Sequence, residues 1–96
     1  MIYLSGPMSG LPEYNYPAFR KATANLRKQG FIICSPHEWG VVEGWTWEQY
    51  MRRALMWMMQ CDSITMLPGW ETSRGALLEL QVATALNWPV QYYLGI

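Results

Sequence analysis

Short apolar, β-prone runs alternate along this chain with stretches of helical length, and that alternation constrains its fold more than any other feature. Residues 1–5 (MIYLS) form the first run, and SGPMSG stops it. Residues 17–29 read as a helix. Pro17 suits a first turn, Phe19, Ala22 and Leu26 share one face, and Gly30 stands where a glycine stop belongs. Residues 31–34 (FIIC) are continuously apolar, the mark of a strand covered on both faces, and SPHEWG ends them. Thr46 is placed to cap a helix over residues 47–60, with Glu48 in its first turn. Residues 63–67 (SITML) read as a third buried strand, followed by the loop PGWETSRG. Ser73 is placed to cap a helix from Arg74 to about Asn87, and residues 89–93 (PVQYY) are a last short strand.

The order β-α-β-α-β-α-β predicts a small three-layer α/β domain, doubly wound, with a mainly parallel four-stranded sheet. No repeat or linker divides residues 1–96, so one domain is expected. In such sheets ligands bind outside the carboxyl ends of the strands. The loops at residues 5–16, 35–45 and 68–72 therefore belong to the functional edge. Asp62, just before the third strand, belongs to the opposite edge and is expected to hydrogen-bond the turn that leaves the second helix.

Seven Lys+Arg balance seven Asp+Glu, so no global charge attracts nucleic acid or an anionic membrane, and neither is an expected partner. Cys34 and Cys61 make no metal-ligand or disulfide pattern. They read as buried thiols, and neither a metal nor a cofactor is called for. No apolar run approaches the ~20 residues that span a bilayer, and no signal-peptide pattern opens the chain, so a cytoplasmic location is expected. Six Trp, six Tyr and seven Met are too many large side chains for so short a chain to bury alone. A homo-oligomer is expected, with Met56, Trp57 and Met59 of the second helix and the C-terminal residues 92–96 in its contacts.

Glu79 is the only charged side chain from Gly75 to Ile96. Helical periodicity sets it between Val82 and Leu86 on one side and Ala76 and Ala83 on the other. A carboxylate on such a face is paired, exposed at a rim, or used. Gly69, Trp70, Ser73 and Gly75 surround the start of the same helix, whose free N–H groups suit an anion. Arg74 reads equally as solvent-facing or anion-binding. The first loop, with Gly6, Pro7, Met8 and Ser9, is neither a dinucleotide nor a Walker loop. His37, the only histidine, has no partners that would make a triad. Arg52 and Arg53 fall on the outer face of the second helix and read as solvated. Ala54 falls on the inward face with Tyr50, Met51, Trp57 and Met58.

The segment Tyr3-Leu4-Ser5-Gly6-Pro7-Met8-Ser9-Gly10-Leu11-Pro12, with Asn15, Pro17 and Phe19, resembles the opening of small phage and prophage domains of unknown function in the nucleoside 2-deoxyribosyltransferase-like superfamily. Cys61-Asp62, Leu67-Pro68-Gly69-Trp70, Ser73-Arg74-Gly75-Ala76, Glu79 and Ala83 continue the match over nearly the whole chain. The resemblance implies a flavodoxin-like fold, a nucleotide or nucleoside ligand, and a site completed by a neighbouring chain. It implies that Glu79 is the catalytic nucleophile at an N-glycosidic bond. Tyr3 and the loop from Gly6 to Ser9 would line the site, and Ser73 would contact a phosphate, as in the related deoxynucleoside 5′-monophosphate N-glycosidases. Trp70 or Met8 would pack on the base.

The chain departs from that pattern at Ala54, where these enzymes usually carry an aspartate. Glu38, Glu43, Glu48 or His37 would have to replace that acid. Two functions follow: an N-glycosidase or deoxyribosyltransferase, or a catalytically silent nucleotide-binding protein.

Overall fold

The computed structural model describes residues 1–94, so Gly95 and Ile96, and their part in the expected oligomer contact, lie outside it. Strands β1 (Ile2–Ser5), β2 (Ile33–Cys34), β3 (Ser63–Met66) and β4 (Val90–Tyr92) alternate with helices α1 (Tyr16–Lys28), α2 (Trp47–Met58) and α3 (Arg74–Ala85). The sheet runs β2-β1-β3-β4, and every pairing is parallel, with Ile2 beside Ile33 and Ser63, and Ser5 beside Met66. The chain steps from β1 to one side for β2 and to the other for β3. The switch in strand order therefore lies between β1 and β3, and a crevice opens beyond Ser5 and Met66.

Side-chain alternation along the strands builds two cores. Tyr3, Ile64 and Met66 pack with Met58 of α2 and Ala76 and Ala83 of α3. Leu4, Ile33 and Leu67 pack on the other face with Phe19 and Ala22 of α1. This is the doubly wound, three-layer α/β sandwich that the alternation predicts. Among the described residues no helix is long and apolar enough to cross a membrane. Cys34 and Cys61 are free and buried in the first core, where burial raises both thiols, Cys61 to about 12.

The ends of the elements show which local chemistry governs them. Thr46 and Gln49 cap α2 reciprocally, side chain to backbone in both directions. Helix α1 ends on Gly30 at φ 96°, with the Phe31 N–H donating to the Leu26 carbonyl and the Gly30 N–H to that of Arg27. The same motif ends α3 on Asn87, at φ 59°.

That α1 ending corrects the reading of residues 31–34. Phe31 belongs to the helix terminator, and the chain first bonds to the sheet at the Ile32 carbonyl. Phe31 and Ile32 are exposed, and only Ile33 and Cys34 of this edge strand are covered. Helix α2 also stops two residues early, at Met58, where a turn bonds Cys61 N–H to the Met58 carbonyl. Asp62 lies at the edge expected for it but has a different partner. Its carboxylate accepts from the Met1 amino group at 2.9 Å.

Candidate functional site

Residues two apart on a strand share a face, so Tyr3 and Ser5 of β1 both point towards α3. Glu79, about one and a half turns into that helix, meets them there. The Tyr3 hydroxyl donates to Glu79 Oε2 and the Ser5 hydroxyl to Oε1, each at 2.6 Å. Glu79 is 6% exposed, which overturns the exposed-rim reading, and among the described residues of this chain no arginine pairs with it. Burial pushes its carboxyl up to about 7, against the hydrogen bonds from Ser5 and Tyr3, which favour the charged form. Tyr3 is raised well above its ordinary value by burial and by the neighbouring carboxylate, so it remains a donor.

Glu79 borders a cavity of about 310 Å³ at the switch point. Its polar lining includes Ser9 of the first loop and, at the start of α3, Ser73 and Gly75. Ser73 caps that helix by accepting from Ala76 N–H at 3.2 Å. A second hollow adjoins this end, lined by Thr72, Ser73, Arg74 and Pro7. Aromatic rings also line the cavity: Tyr16, Trp39, Trp45 and Tyr50, and Trp47, which lies beside Gly75. Gly6 lets the first loop approach β3 closely, because a Cβ there would stand 2.8 Å from Leu67 Cβ. Glu13, Tyr14 and Asn15 take left-handed backbone conformations in succession at the mouth. Each costs roughly 1–2 kcal/mol. The Asn15 amide, donating to the Pro7 carbonyl at 2.9 Å, holds the turn.

Of the residues singled out in the sequence, Tyr3, Gly6, Met8, Ser9, Ser73, Gly75 and Glu79 are brought together around the cavity. Pro7, Gly69 and Trp70 are not among its lining residues. Pro7 packs against Gly69, and Trp70 packs on the Tyr92 ring, 5.7 Å between centroids. Arg74 is exposed, as its solvent-facing reading has it, with its guanidinium 3.8 Å from the centre of the Trp47 ring.

None of the suggested replacement acids lines the cavity. Glu38 is paired with Arg27 at 2.7 Å, which lowers its carboxyl. The His37 ring lies 2.6 Å from Ser35 Oγ, and burial lowers its pKa. Glu43 and Glu48 are exposed. Ala54, 7% exposed, faces the cavity as expected.

Arg53 is the residue that helical periodicity misplaced. Arg52 is exposed as expected, but Arg53 is half-buried and lines the cavity. Residues 39–45 lie against α2 and cover Arg53, while Arg52, Gln49 and Gln60 stay exposed. The Arg53 guanidinium donates to the Gly40 carbonyl at 2.7 Å and lies 5.1–5.5 Å from the centroids of Trp39, Trp45 and Tyr50. The Tyr50 hydroxyl pins the same loop at Val42. The sequence signal was the aromatic density of that loop. Trp57 is also displaced from the inward face. It is 42% exposed and stacks on Trp39 at 5.8 Å.

Residues 1–92 match the family model described as a domain of unknown function, DUF4406. No curated protein matches the chain significantly. Three chains of solved structure do match. One is a 2-deoxyribosyltransferase from the psychrotolerant bacterium Bacillus psychrosaccharolyticus, described as a biocatalyst for nucleoside synthesis. It is 23% identical, with a TM-score of 0.70 over 95% of this chain and 69% of that one. A likeness at that identity establishes a shared fold.

Proposed function

The chain belongs to the DUF4406 family and has a 2-deoxyribosyltransferase-like fold, and we propose that it acts at the N-glycosidic bond of a deoxynucleotide or deoxynucleoside. One observation carries this reading. Among the described residues a carboxylate with no ion-pair partner is held by two hydroxyls at the edge of a cavity lined by aromatic rings and by Ser9, Ser73 and Gly75. A planar base suits the aromatic rings, and a phosphate suits Ser9, Ser73 and the N–H groups of α3. Glu79 then attacks the anomeric carbon as the bond to the base breaks. Water, or a second base, resolves the glycosyl ester. Tyr3 and Ser5 orient the nucleophile. No step needs a metal or cofactor.

Only ionised Glu79 can attack, so kcat/KM for base release is expected to rise with pH through about 7. Tyr3→Phe removes a donor to the charged form. Its acid limb should therefore move to higher pH, and its rate at neutral pH should fall by about tenfold per unit of displacement. A pH profile of both proteins checks this. An unmoved limb would mean that some other group sets it.

Ala54 favours a second reading, a nucleotide-binding protein without turnover. Thermal stabilisation by a deoxynucleotide with no base released would identify it.

We also propose that the chain forms a homo-oligomer through α2, where Met56 is 72% and Met59 51% exposed beside Trp57. Tyr92 and Leu94 add apolar surface near the C-terminus. Sedimentation at micromolar concentration should give at least a dimer, and a monomeric species would refute the proposal.

A further inference from the structure

We infer that Arg53 stabilises the departing nucleobase as an anion, so that the site takes deoxynucleotides of uracil and thymine in preference to those of cytosine and adenine. This rests on the glycosyl chemistry proposed above. Among the described residues, Glu79 is the only carboxylate and Arg53 the only cation lining the cavity. Glu79 is committed as the nucleophile, and Ala54 supplies no proton. A base that must be protonated to leave, such as adenine or cytosine, has no donor acid there. In uracil and thymine the departing N1 carries the electron pair with delocalisation onto the adjacent C2 carbonyl and, through the C5–C6 double bond, onto the C4 carbonyl.

Arg53 is built to meet such an anion. Its Nε–H is buried and has no acceptor among the described residues, while Nη1 and Nη2 donate to the Trp39 and Gly40 carbonyls at 3.4 and 2.7 Å. A guanidinium does not give up its proton near neutral pH, so it stabilises charge without acting as an acid. Its surroundings are flat aromatic faces, which suit a planar ring better than a tetrahedral phosphate. The small polar residues at the start of α3 remain for the phosphate.

The step balances without another reagent. A Glu79 oxygen bonds to C1′, the C1′–N bond breaks, and its electron pair leaves with the base, beside Arg53. Water then bonds to C1′, the ester pair returns to Glu79, and the water proton ends on the base.

The test measures base release by the full chain from the 5′-monophosphates of deoxyuridine, thymidine, deoxycytidine and deoxyadenosine. Uracil and thymine should leave at least about a hundredfold faster than cytosine and adenine. 5-Fluoro-deoxyuridine monophosphate should react faster than the unsubstituted compound, because its anion is more stable. Arg53→Gln should lower kcat for uracil release by about 10²–10³. It should also steepen the response to fluorine, and Arg53→Lys should recover part of the rate. The fluorine effect is read on the unaltered chain, so misfolding of a variant does not remove the test. Equal release of all four bases, or no response to fluorine, overturns the inference and leaves the glycosyl chemistry standing. A uniform rise in KM in Arg53→Gln, with kcat unchanged, would assign Arg53 to the phosphate and overturn it as well. No release from any of the four overturns both.

Discussion

Replacing Glu79 by glutamine is expected to lower base release by at least about 10⁴-fold, the scale on which loss of a covalent nucleophile is felt. The same variant should be more stable than the parent above pH 7. In the folded chain burial holds the Glu79 carboxyl at about 7, above its ordinary 4.5. The folded state therefore binds the proton more tightly than the unfolded state. The stability linked to that proton is fully present below about 4.5 and is lost as pH rises through about 7. The loss is roughly 3 kcal/mol at alkaline pH. Glutamine matches the shape, carries no charge, and can still accept from the Tyr3 or Ser5 hydroxyl. Urea titrations at pH 5 and pH 8 should show the pH dependence in the parent and its loss in the variant. A variant that keeps the parent's base release would remove Glu79 from the chemistry, whatever its stability.

Ala54→Asp is expected to increase base release by about 10²–10⁴, the usual contribution of a general acid. Ala54 is buried against the cavity, so an aspartate there would face the ligand crevice and not closed core. The gain should be greatest for cytosine and adenine, which need a proton to leave. Burying the carboxyl without a partner costs on the order of a few kcal/mol, so folding is checked first by thermal melting. Ala54→Asn is the control. If neither variant gains rate, the absence of an acid is not what limits the chain. If the amide works as well as the acid, the proton comes from elsewhere.

The alternation of apolar runs with helical stretches is enough to place the cavity beyond the carboxyl ends of β1 and β3, because parallel strands with helical crossovers leave few topologies. Glu79 was legible as the lone charge on an apolar helix face, and Ser73 as a cap. Their partners were less so. That Tyr3 and Ser5 both reach Glu79 depends on the β1–α3 packing, which no local pattern encodes. Arg53 was misplaced because a helical wheel knows only its own helix, and the segment from Trp39 to Trp45 supplies the cover. Phe31 and Ile32 were misread for a related reason. Their apolarity fits a buried strand, but a left-handed Gly30 turn claims Phe31 and the sheet edge leaves Ile32 uncovered. Pro7, Gly69 and Trp70 lie in the right loops, yet they hold those loops together and do not face the cavity.

The central claim, that Glu79 bonds covalently to the sugar, is tested most directly by trapping. In a 2′-fluoro-2′-deoxyarabino nucleotide of 5-fluorouracil the fluorine on the sugar destabilises the oxocarbenium-like transition states of both steps, and the good leaving base keeps formation of the ester faster than its hydrolysis. Incubated with the protein, digested and weighed by mass spectrometry, it should leave one fluorinated sugar on the peptide that contains Glu79, and none in Glu79→Gln. Base release from the natural nucleotide with no adduct at Glu79, or an adduct on a different residue, would contradict the account.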